Sequence, residues 1–374
     1  MKKICFVNVN TYSIFNSYNN KAAVGGTEIQ LFNLANYLSQ RKFYQVSFII
    51  GDWGQKEDIE QYNKIKLIKS FSLKKTFWNY IKSLFILWNR IRKVNAEIYI
   101  MSSAGLEIGI VSFFCKLNKK KFIYRTAHQM DCDGSFIKNN GFIGRVFEYG
   151  LKQADLIITQ NYDHYKLLKK QMLNSIIIKN ALVINNTYNK KLLKSKINNH
   201  NNYILWVARC DKWKRPELFL KIVKSFPYEK FIMISPKVEH NKELFFKIKK
   251  EAKNLSNLKF IEKVSFNKIQ KYFDRAKLFI GTSDYEGFPN TYIQACIGGT
   301  PIISLKVNPD KFITKNNLGY CADGDFKLML QQIKNILKNK EDWHIKSNKA
   351  IEYVKREHDI QIIGKKWEKI INQL

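Results

Sequence analysis

Short apolar runs alternate along the chain with longer stretches in which apolar residues recur at helical spacing. The short runs have the length of buried strands, and the longer stretches have the period of helices that cover a sheet. This alternation predicts an α/β fold with parallel sheets. The predicted strands lie at residues 3–9, 44–50, 97–101, 121–125, 155–159 and 176–180 in the first half, and at 203–209, 230–235, 258–262, 277–281 and 301–305 in the second.

The pattern is interrupted between residues 185 and 202, where Asn, Lys and Ser replace the apolar residues. We interpret this stretch as a domain linker. A chain of 374 residues is also too long for one typical hydrophobic core. The sequence therefore predicts two α/β domains, at residues 1–184 and 203–357, followed by an amphipathic segment at 358–374.

The segment 284–304 lies between two of the predicted strands and carries the strongest functional signal. Asn290 is placed to cap a short helix, and Gly298 begins a glycine pair that would end it. Backbone amides at the start of such a helix favour an anion. Glu286 and Gln294 add oxygen acceptors, so the segment suits a ligand with phosphate and hydroxyl groups, such as a nucleotide sugar. The alternative is an ordinary strand-to-helix turn.

Two cations follow the first predicted strand of the second domain. Arg209 ends that strand and Lys214 precedes the next helix, so both can reach one diphosphate. Surface cations without a ligand are the alternative in so basic a chain. In the first domain, Gly25 and Gly26 precede a helix and would permit a ligand to approach the backbone, although turn geometry alone also explains them.

A histidine and two carboxylates follow the predicted strand 121–125. His128 comes just past the strand end, where an α/β sheet places its chemistry, and Asp131 and Asp133 lie close behind. A purely structural histidine is the alternative. Asp131 and Asp133 match the Asp-x-Asp pattern of metal-using glycosyltransferases, which recurs by chance, and the two residues are also candidates to face an acceptor.

Taken in order, these segments resemble family-4 retaining glycosyltransferases with the GT-B fold, in which two Rossmann-like domains face a central cleft. The family signature is a Glu, seven residues and a second Glu. Glu286 matches the first acid, and Gln294 stands in the place of the second. Arg215 is a further departure, since the family usually has Gly there. The resemblance is strongest over residues 203–305, and it implies that the last helix crosses back to the first domain.

The resemblance also implies roles for individual residues. His128 and Glu286 would be catalytic, lying against the donor sugar, and Gln294 would hold the ribose of the nucleotide. The two cations would bind the diphosphate, and the turn around residue 264 would stack on the nucleobase. The full set of implied donor-binding residues is Gly26, Arg209, Lys214, Val264, Glu286, Gly287, Phe288, Asn290, Thr291 and Gln294.

The reaction implied is transfer of a sugar from a nucleoside-diphosphate sugar to a hydroxyl of a glycan or lipid-linked acceptor, with retention of anomeric configuration. It needs no cofactor and no metal ion, and it fits the biosynthesis of bacterial surface polysaccharides. Two alternatives stay open. One is a metal-dependent glycosyltransferase that uses Asp131 and Asp133, and the other is a basic nucleic-acid-binding protein.

The charge of the chain suggests a polyanionic partner. Its 64 Lys and Arg residues against 31 Asp and Glu residues give a net charge of +33. Residues 74–93 predict a basic amphipathic helix with Trp78, Phe85 and Trp88, which suits an anionic membrane surface. The alternatives are a helix that covers the sheet and a bias toward Lys in the composition.

Other features of the sequence indicate the compartment. The six cysteines are scattered within apolar runs, which is typical of reduced core residues. The start of the chain lacks a signal-peptide core, and no apolar run reaches the length of a membrane span. We therefore expect a cytoplasmic protein, with peripheral binding to the inner face of the cell membrane as a further possibility, and no nucleic-acid partner.

Overall fold

A computed structural model of the protein describes residues 1–16, 25–72, 77–184, 196 and 202–374, with side chains described outside residues 72 and 77–81. The chain divides into two compact units, one formed by Met1–Val183 with Ile360–Leu374 and the other by Ile184–Asp359. Most of the predicted linker at 185–202, and the first three residues of the predicted helix at 74–93, fall outside the described residues.

The first unit is built on an eight-stranded sheet with the order β3-β4-β2-β1-β5-β6-β7-β8. Neighbouring strands are parallel except for the antiparallel pair β3 and β4. Consecutive residues of β1 enter opposite cores, because side chains alternate between the two faces of a strand. The strands are β1 Lys2–Val7, β2 Tyr44–Asp52, β3 Ile59–Tyr62, β4 Ile65–Ser72, β5 Ile98–Ser102, β6 Lys121–Arg125, β7 Leu156–Thr159 and β8 Ser175–Ile177.

Helices cover both faces of this sheet. The last helix of the chain packs on the first unit, where Gly364 lies against the ring of Tyr37 and leaves no room for a Cβ atom. Lys2 Nζ donates a hydrogen bond of 2.6 Å to the carbonyl oxygen of Ile371 in the same helix. The helices of this unit are α1 Tyr12–Phe15, α2 Gly26–Ser39, α3 Phe77–Val94, α4 Leu106–Leu117, α5 Ser135–Asn139, α6 Gly141–Gln153, α7 Tyr162–Lys170 and α15 Ile360–Gln373.

The second unit has a six-stranded, wholly parallel sheet with the order β11-β10-β9-β12-β13-β14. The strand order reverses between β9 and β12, and ligands of open α/β sheets bind at such a switch point. The strands are β9 Tyr203–Val207, β10 Phe231–Ile234, β11 Leu258–Ile261, β12 Ala276–Gly281, β13 Ile302–Ser304 and β14 Gly319–Cys321. The helices are α8 Pro216–Ser225, α9 Lys242–Lys253, α10 Phe266–Arg275, α11 Asn290–Ile297, α12 Phe312–Lys315, α13 Phe326–Lys338 and α14 Lys340–Glu357.

The architecture confirms the predicted α/β fold with two sheets of mainly parallel strands. The hairpin formed by β3 and β4 is an addition that the sequence pattern did not indicate, since Lys residues interrupt its apolar positions. The turn between the two strands places Asn63 at φ 49°, a left-handed conformation that Asn tolerates.

Candidate active site

The carboxyl ends of β9 and β12 bring Lys214 and Glu286 together. Lys214 ends a short 3₁₀ turn after β9, and its Nζ forms an ion pair with Glu286 Oε1 in the loop after β12. Both side chains are only 15% exposed. The two loops are also joined by Thr282, whose hydroxyl donates a 2.6 Å hydrogen bond to the carbonyl oxygen of Lys214. A cation and a carboxylate, 72 residues apart in sequence, therefore share one site.

Arg209 is the second cation on this edge of the sheet. Its side chain is 40% exposed, and its Nη2 lies 3.3 Å from Oδ2 of Asp211, which is completely buried. The guanidinium has five N–H groups in a fixed fork, so the contact with Asp211 leaves others for a ligand. The site thus combines one shielded and one open cation, and Lys and Arg side chains both pair with phosphate groups.

Arg215 occupies a left-handed backbone position, at φ 51° and ψ 51°. The family that the sequence resembles usually has Gly at this position, and glycine adopts this conformation without steric cost. The side chain compensates, since Nε donates to Glu217 at 2.6 Å and Nη1 to Asp284 at 3.1 Å. The hydrogen bond to Glu217 is the main cause of a raised pKa for Arg215.

We expect Arg215→Ala to destabilise the protein more than Arg215→Gly does, by about 1 kcal/mol. Both substitutions remove the same two ion pairs, which lie near the surface and contribute little. Alanine has a Cβ atom and still bears the free-energy cost of the left-handed backbone, whereas glycine does not. Urea denaturation of the two variants measures the difference in the free energy of unfolding. If the alanine variant were at least as stable as the glycine variant, the backbone at position 215 would not be strained.

The helix α11 starts one residue earlier than the sequence indicated. Pro289 precedes the helix, and Asn290 is its first residue instead of its cap. Asn290 and Gln294 are buried, and the carbonyl oxygen of Gln294 accepts a 3.0 Å hydrogen bond from Gln270 Nε2. Thr291 is half-buried at the same helix end. These residues lie on the helix that the Glu286 loop leads into.

Phe288 packs its side chain beneath the Glu286 loop, and its predicted contact with the donor stays a prediction. Its ring is buried, with centroids 4.8 Å from Phe312 and 5.0 Å from the ring of His358. The side chain is therefore part of the core beneath the loop, and only its backbone, with that of Gly287, is a candidate for ligand contact. Val264 is half-buried in the loop after β11, and β11 is two strands away from β9 in the sheet.

In the first unit, His128 lies at the carboxyl end of β6, in a loop that Asp131 holds. Asp131 Oδ2 accepts hydrogen bonds from the Tyr124 hydroxyl at 2.9 Å, from Ala127 N at 2.6 Å and from His128 N at 3.2 Å. Burial raises the pKa of Asp131, and these hydrogen bonds oppose the shift. The buried carboxylate therefore supports its own loop, and the acceptor-facing role of Asp131 stays a prediction.

Asp133 and His128 also accept hydrogen bonds from backbone amides two residues along the chain. Asp133 is exposed, and its Oδ1 accepts a 2.9 Å hydrogen bond from Ser135 N at the start of α5. His128 Nδ1 accepts from Met130 N at 3.3 Å, which assigns the proton of the neutral ring to Nε2. Within the described ranges, no three His, Cys, Asp or Glu side chains gather where they could hold a metal ion.

Sequence reasoning missed a second histidine next to His128. His164 lies in the first turn of α7, and the side chain of Asn161 caps that turn by accepting from His164 N at 2.8 Å. Burial, and then the charge of His128, lower the pKa of His164 to about 4, so its ring is neutral at pH 7. The Asn cap directly after β7 is the sequence signal that could have located it.

Gly26 is the first residue of α2, and its neighbour Gly25 is fixed by a side chain of the same helix. Gly25 N donates a 3.0 Å hydrogen bond to Glu28 Oε2, and Glu28 is buried. The glycine pair therefore forms the start of a helix whose first free amide is satisfied by Glu28. Residues 17–24, which precede it, are outside the part of the chain that the structure describes.

Comparison with known proteins shows that this chain is similar to glycosyltransferases. Residues 188–357, which lie within the second unit, match the family described as "Glycosyl transferases group 1". A Haemophilus influenzae protein described as an uncharacterized glycosyltransferase is 24% identical over 369 residues, covering 94% of this chain and 98% of its own length. These likenesses support glycosyltransferase activity.

Solved structures confirm the GT-B fold. Sucrose-phosphate synthase from Thermosynechococcus elongatus is similar with a TM-score of 0.79 at 15% identity, covering 100% of this chain and 99% of that chain. Anabaena HepE in complex with UDP-glucose has a TM-score of 0.75 at 13% identity, with 100% of both chains covered. The trehalose-6-phosphate synthase OtsA has a TM-score of 0.75 at 10% identity, covering 100% of this chain and 99% of that chain.

Proposed function

We propose that the protein is a family-4, retaining, metal-independent glycosyltransferase. It moves a sugar from a nucleoside-diphosphate sugar to a hydroxyl of a glycan or lipid-linked acceptor in bacterial surface polysaccharide biosynthesis. The observation that carries this proposal is the pair Lys214 and Glu286 beside Arg209, at the switch point of a glycosyl transferases group 1 domain. The crystal structure of Anabaena HepE with UDP-glucose supports a nucleotide sugar as the donor.

The site residues suggest how the donor is held. Arg209 and Lys214 bind the diphosphate and stabilise the negative charge that develops on it as the sugar departs. A carboxylate has two oxygens, so Glu286 can keep Lys214 with one and accept a hydrogen bond from a sugar hydroxyl with the other. The bond between the anomeric carbon and the phosphate oxygen breaks, and the acceptor oxygen bonds to that carbon on the same face. The acceptor proton passes to the departing phosphate.

Product stereochemistry and chelation test this mechanism together. The protein is incubated with nucleotide sugars of known anomeric configuration and an acceptor glycan, and the product anomer is determined by NMR. We expect retained configuration and a rate that EDTA does not change. An inverted product would contradict the retaining mechanism, and a loss of activity with EDTA that a divalent cation restores would favour the alternative with Asp131 and Asp133.

We favour the glycosyltransferase over the nucleic-acid alternative because of where the aromatic side chains of the strands lie. Proteins that bind single strands stack bases on exposed aromatic rings of their strands. In the described strands, Phe48, Tyr99, Phe122 and Tyr124 are instead buried in the cores, and Tyr62, Tyr203, Phe260 and Tyr320 are half-buried.

We further propose that the first unit binds an anionic membrane surface, with α3, α4 and α6 in contact with lipid. The support is a set of exposed apolar side chains on these helices, Phe85, Phe113, Leu117 and Phe142. The ring of Phe113 lies 6.1 Å from Trp88 of α3 and 6.5 Å from Tyr149 of α6, so the three helices that carry these residues are neighbours. We call this set the apolar surface.

The helix α3 serves two purposes. Leu87 and Ile91 are fully buried and cover the sheet, as a layer helix must, whereas Phe85 on the outer side is 68% exposed. Trp88 is half-buried and packs against Phe114, and Arg90 pairs with Asp58 at 2.9 Å. Trp78 falls among the side chains that are not described. Among the described residues, every helix is too short or too polar to cross a bilayer.

Vesicle sedimentation tests the proposal. Exposed cations border the apolar surface, and each is worth about 1 kcal/mol near an anionic membrane. We expect binding that rises with anionic lipid and falls with salt, and that is lost in a variant with five of these cations changed to Gln. The cations to change are Lys82, Arg92, Lys93, Lys116 and Lys119.

The matched control changes five exposed lysines of the second unit and should bind like the wild type. Equal losses in the two variants would show that the net charge alone causes binding, and equal sedimentation with neutral and anionic vesicles would contradict the proposal. The control changes Lys221, Lys242, Lys247, Lys250 and Lys253 to Gln.

A further inference from the structure

Asp211 is a fully buried carboxylate beside the proposed donor site. It follows β9 by four residues, and its backbone carbonyl begins the 3₁₀ turn that carries Lys214, accepting a 3.0 Å hydrogen bond from Lys214 N. The turn therefore needs only the backbone of this residue. The side chain has a separate set of partners, and a buried carboxylate is costly unless its partners compensate for lost water.

The two oxygens of Asp211 have different partners. Oδ1 accepts hydrogen bonds from His240 Nε2 at 2.8 Å and from Asn241 Nδ2 at 3.0 Å, both in the loop after β10. Oδ2 faces Arg209 Nη2 at 3.3 Å, as an ion pair. The carboxylate therefore joins three groups, and only one of them, Arg209, belongs to the proposed diphosphate site.

We infer that Asp211 is a positioning residue that holds the guanidinium of Arg209 in place for the donor diphosphate. This inference rests on the proposed function. An unrestrained arginine side chain loses rotational freedom about several bonds when it binds a ligand. This loss of conformational entropy weakens binding. Asp211 is fixed on its other side by two donors of the β10 loop, so it presents a rigid anchor to Arg209. The anchored guanidinium retains further N–H groups for phosphate oxygens.

Asparagine at position 211 breaks the contact with Arg209 selectively. Its carbonyl oxygen can replace Oδ1 and still accept from His240 and Asn241. Its amide nitrogen then takes the place of Oδ2, so that a donor faces the N–H groups of Arg209. Asp211→Asn therefore keeps the β10 loop anchored while Arg209 loses its partner.

A double-mutant cycle on nucleotide binding tests the inference. Isothermal titration with UDP, GDP and ADP identifies the diphosphate that the wild-type protein binds, and that probe is then titrated into Asp211→Asn, Arg209→Ala and the double variant. We expect each single variant to bind about tenfold more weakly. We expect the double variant to match Arg209→Ala, because a residue that acts through Arg209 has no effect once Arg209 is gone.

The matched control is Glu239→Gln, which lies in the same β10 loop and forms an ion pair with the exposed Lys237 at 2.9 Å. It should bind the probe like the wild type. Losses that add in the double variant, or unchanged binding in Asp211→Asn, would overturn the inference. Unchanged binding in Arg209→Ala, or a wild type that binds none of the three probes, would instead contradict the proposed function.

Thermal unfolding shows whether Asp211→Asn folds. If it does not, His240→Ala and Asn241→Ala provide the second test, since each removes one of the donors that fix Asp211 from the β10 loop. In the protein with Arg209, each of these variants should weaken probe binding by a few fold. In the Arg209→Ala background, neither should change probe binding. Wild-type affinity in both variants would overturn the inference.

Discussion

Replacing Lys214 with alanine should lower kcat/KM for the nucleotide-sugar donor by about ten- to a hundredfold, and the protein should remain folded. One lost charge-assisted hydrogen bond costs about 1.5–3 kcal/mol of transition-state stabilisation. The substitution also leaves Glu286, which is only 15% exposed, without its cation. An unpaired carboxylate would then repel the diphosphate, which adds to the loss.

Two further variants make this prediction specific. Lys212→Ala removes an exposed lysine from the same 3₁₀ turn and should change kcat/KM little. Glu286→Gln, added to Lys214→Ala, removes the unpaired charge and should restore part of the lost affinity for the nucleoside diphosphate. Steady-state kinetics and titration measure both effects. Similar activity in Lys212→Ala and Lys214→Ala would contradict the role of Lys214.

We expect Gly281→Ala to reduce both the stability of the second unit and its affinity for nucleotide. Gly281 ends β12, and a Cβ atom there would lie 2.3 Å from the hydroxyl oxygen of Tyr292. Tyr292 is buried in α11, and its hydroxyl lies 2.9 Å from Ser304 Oγ. The ring must move, taking with it the helix that follows the Glu286 loop. Overpacking of this kind costs about 1–3 kcal/mol.

The clash with the hydroxyl provides an internal check. Tyr292→Phe alone should lose about 1 kcal/mol, because it removes the hydrogen bond with Ser304. In the background of Gly281→Ala the same change removes the closest clashing atom, so Gly281→Ala/Tyr292→Phe should be more stable than Gly281→Ala. Urea denaturation gives the free energies of unfolding. If the double variant were less stable than both single variants, the proposed clash would be wrong.

The sequence was sufficient to predict the sheets because buried parallel strands appear as short apolar runs. Lys66 and Lys69 interrupt the apolar run of β4, and β3 is short and half-exposed, so the pattern indicated neither strand. The individual candidate residues of the second unit could be found in the sequence, because Arg209, Lys214 and Glu286 each follow a strand end. That these strands are neighbours, so that Lys214 pairs with Glu286, depends on the strand order, which a local pattern does not contain.

Burial is the other quantity that the sequence did not provide. Phe288 lies within the family signature, yet its side chain packs in the core, and Asp131 supports the His128 loop from a buried position. Asp211 and His164 have no motif of their own. Asp211 meets His240, and His164 lies near His128, each across about 30 residues of sequence or more, and only the folded arrangement shows these contacts.

Release of nucleoside diphosphate from a panel of nucleotide sugars tests the central claim most directly. The assay compares the wild type with a variant that carries both Arg209→Ala and Lys214→Ala, after thermal unfolding has shown that both proteins fold. We predict that at least one nucleotide sugar releases its diphosphate with the wild type, and that this release is lost in the double variant. Equal release by the two proteins, or no release from any nucleotide sugar, would contradict the assignment of the donor site.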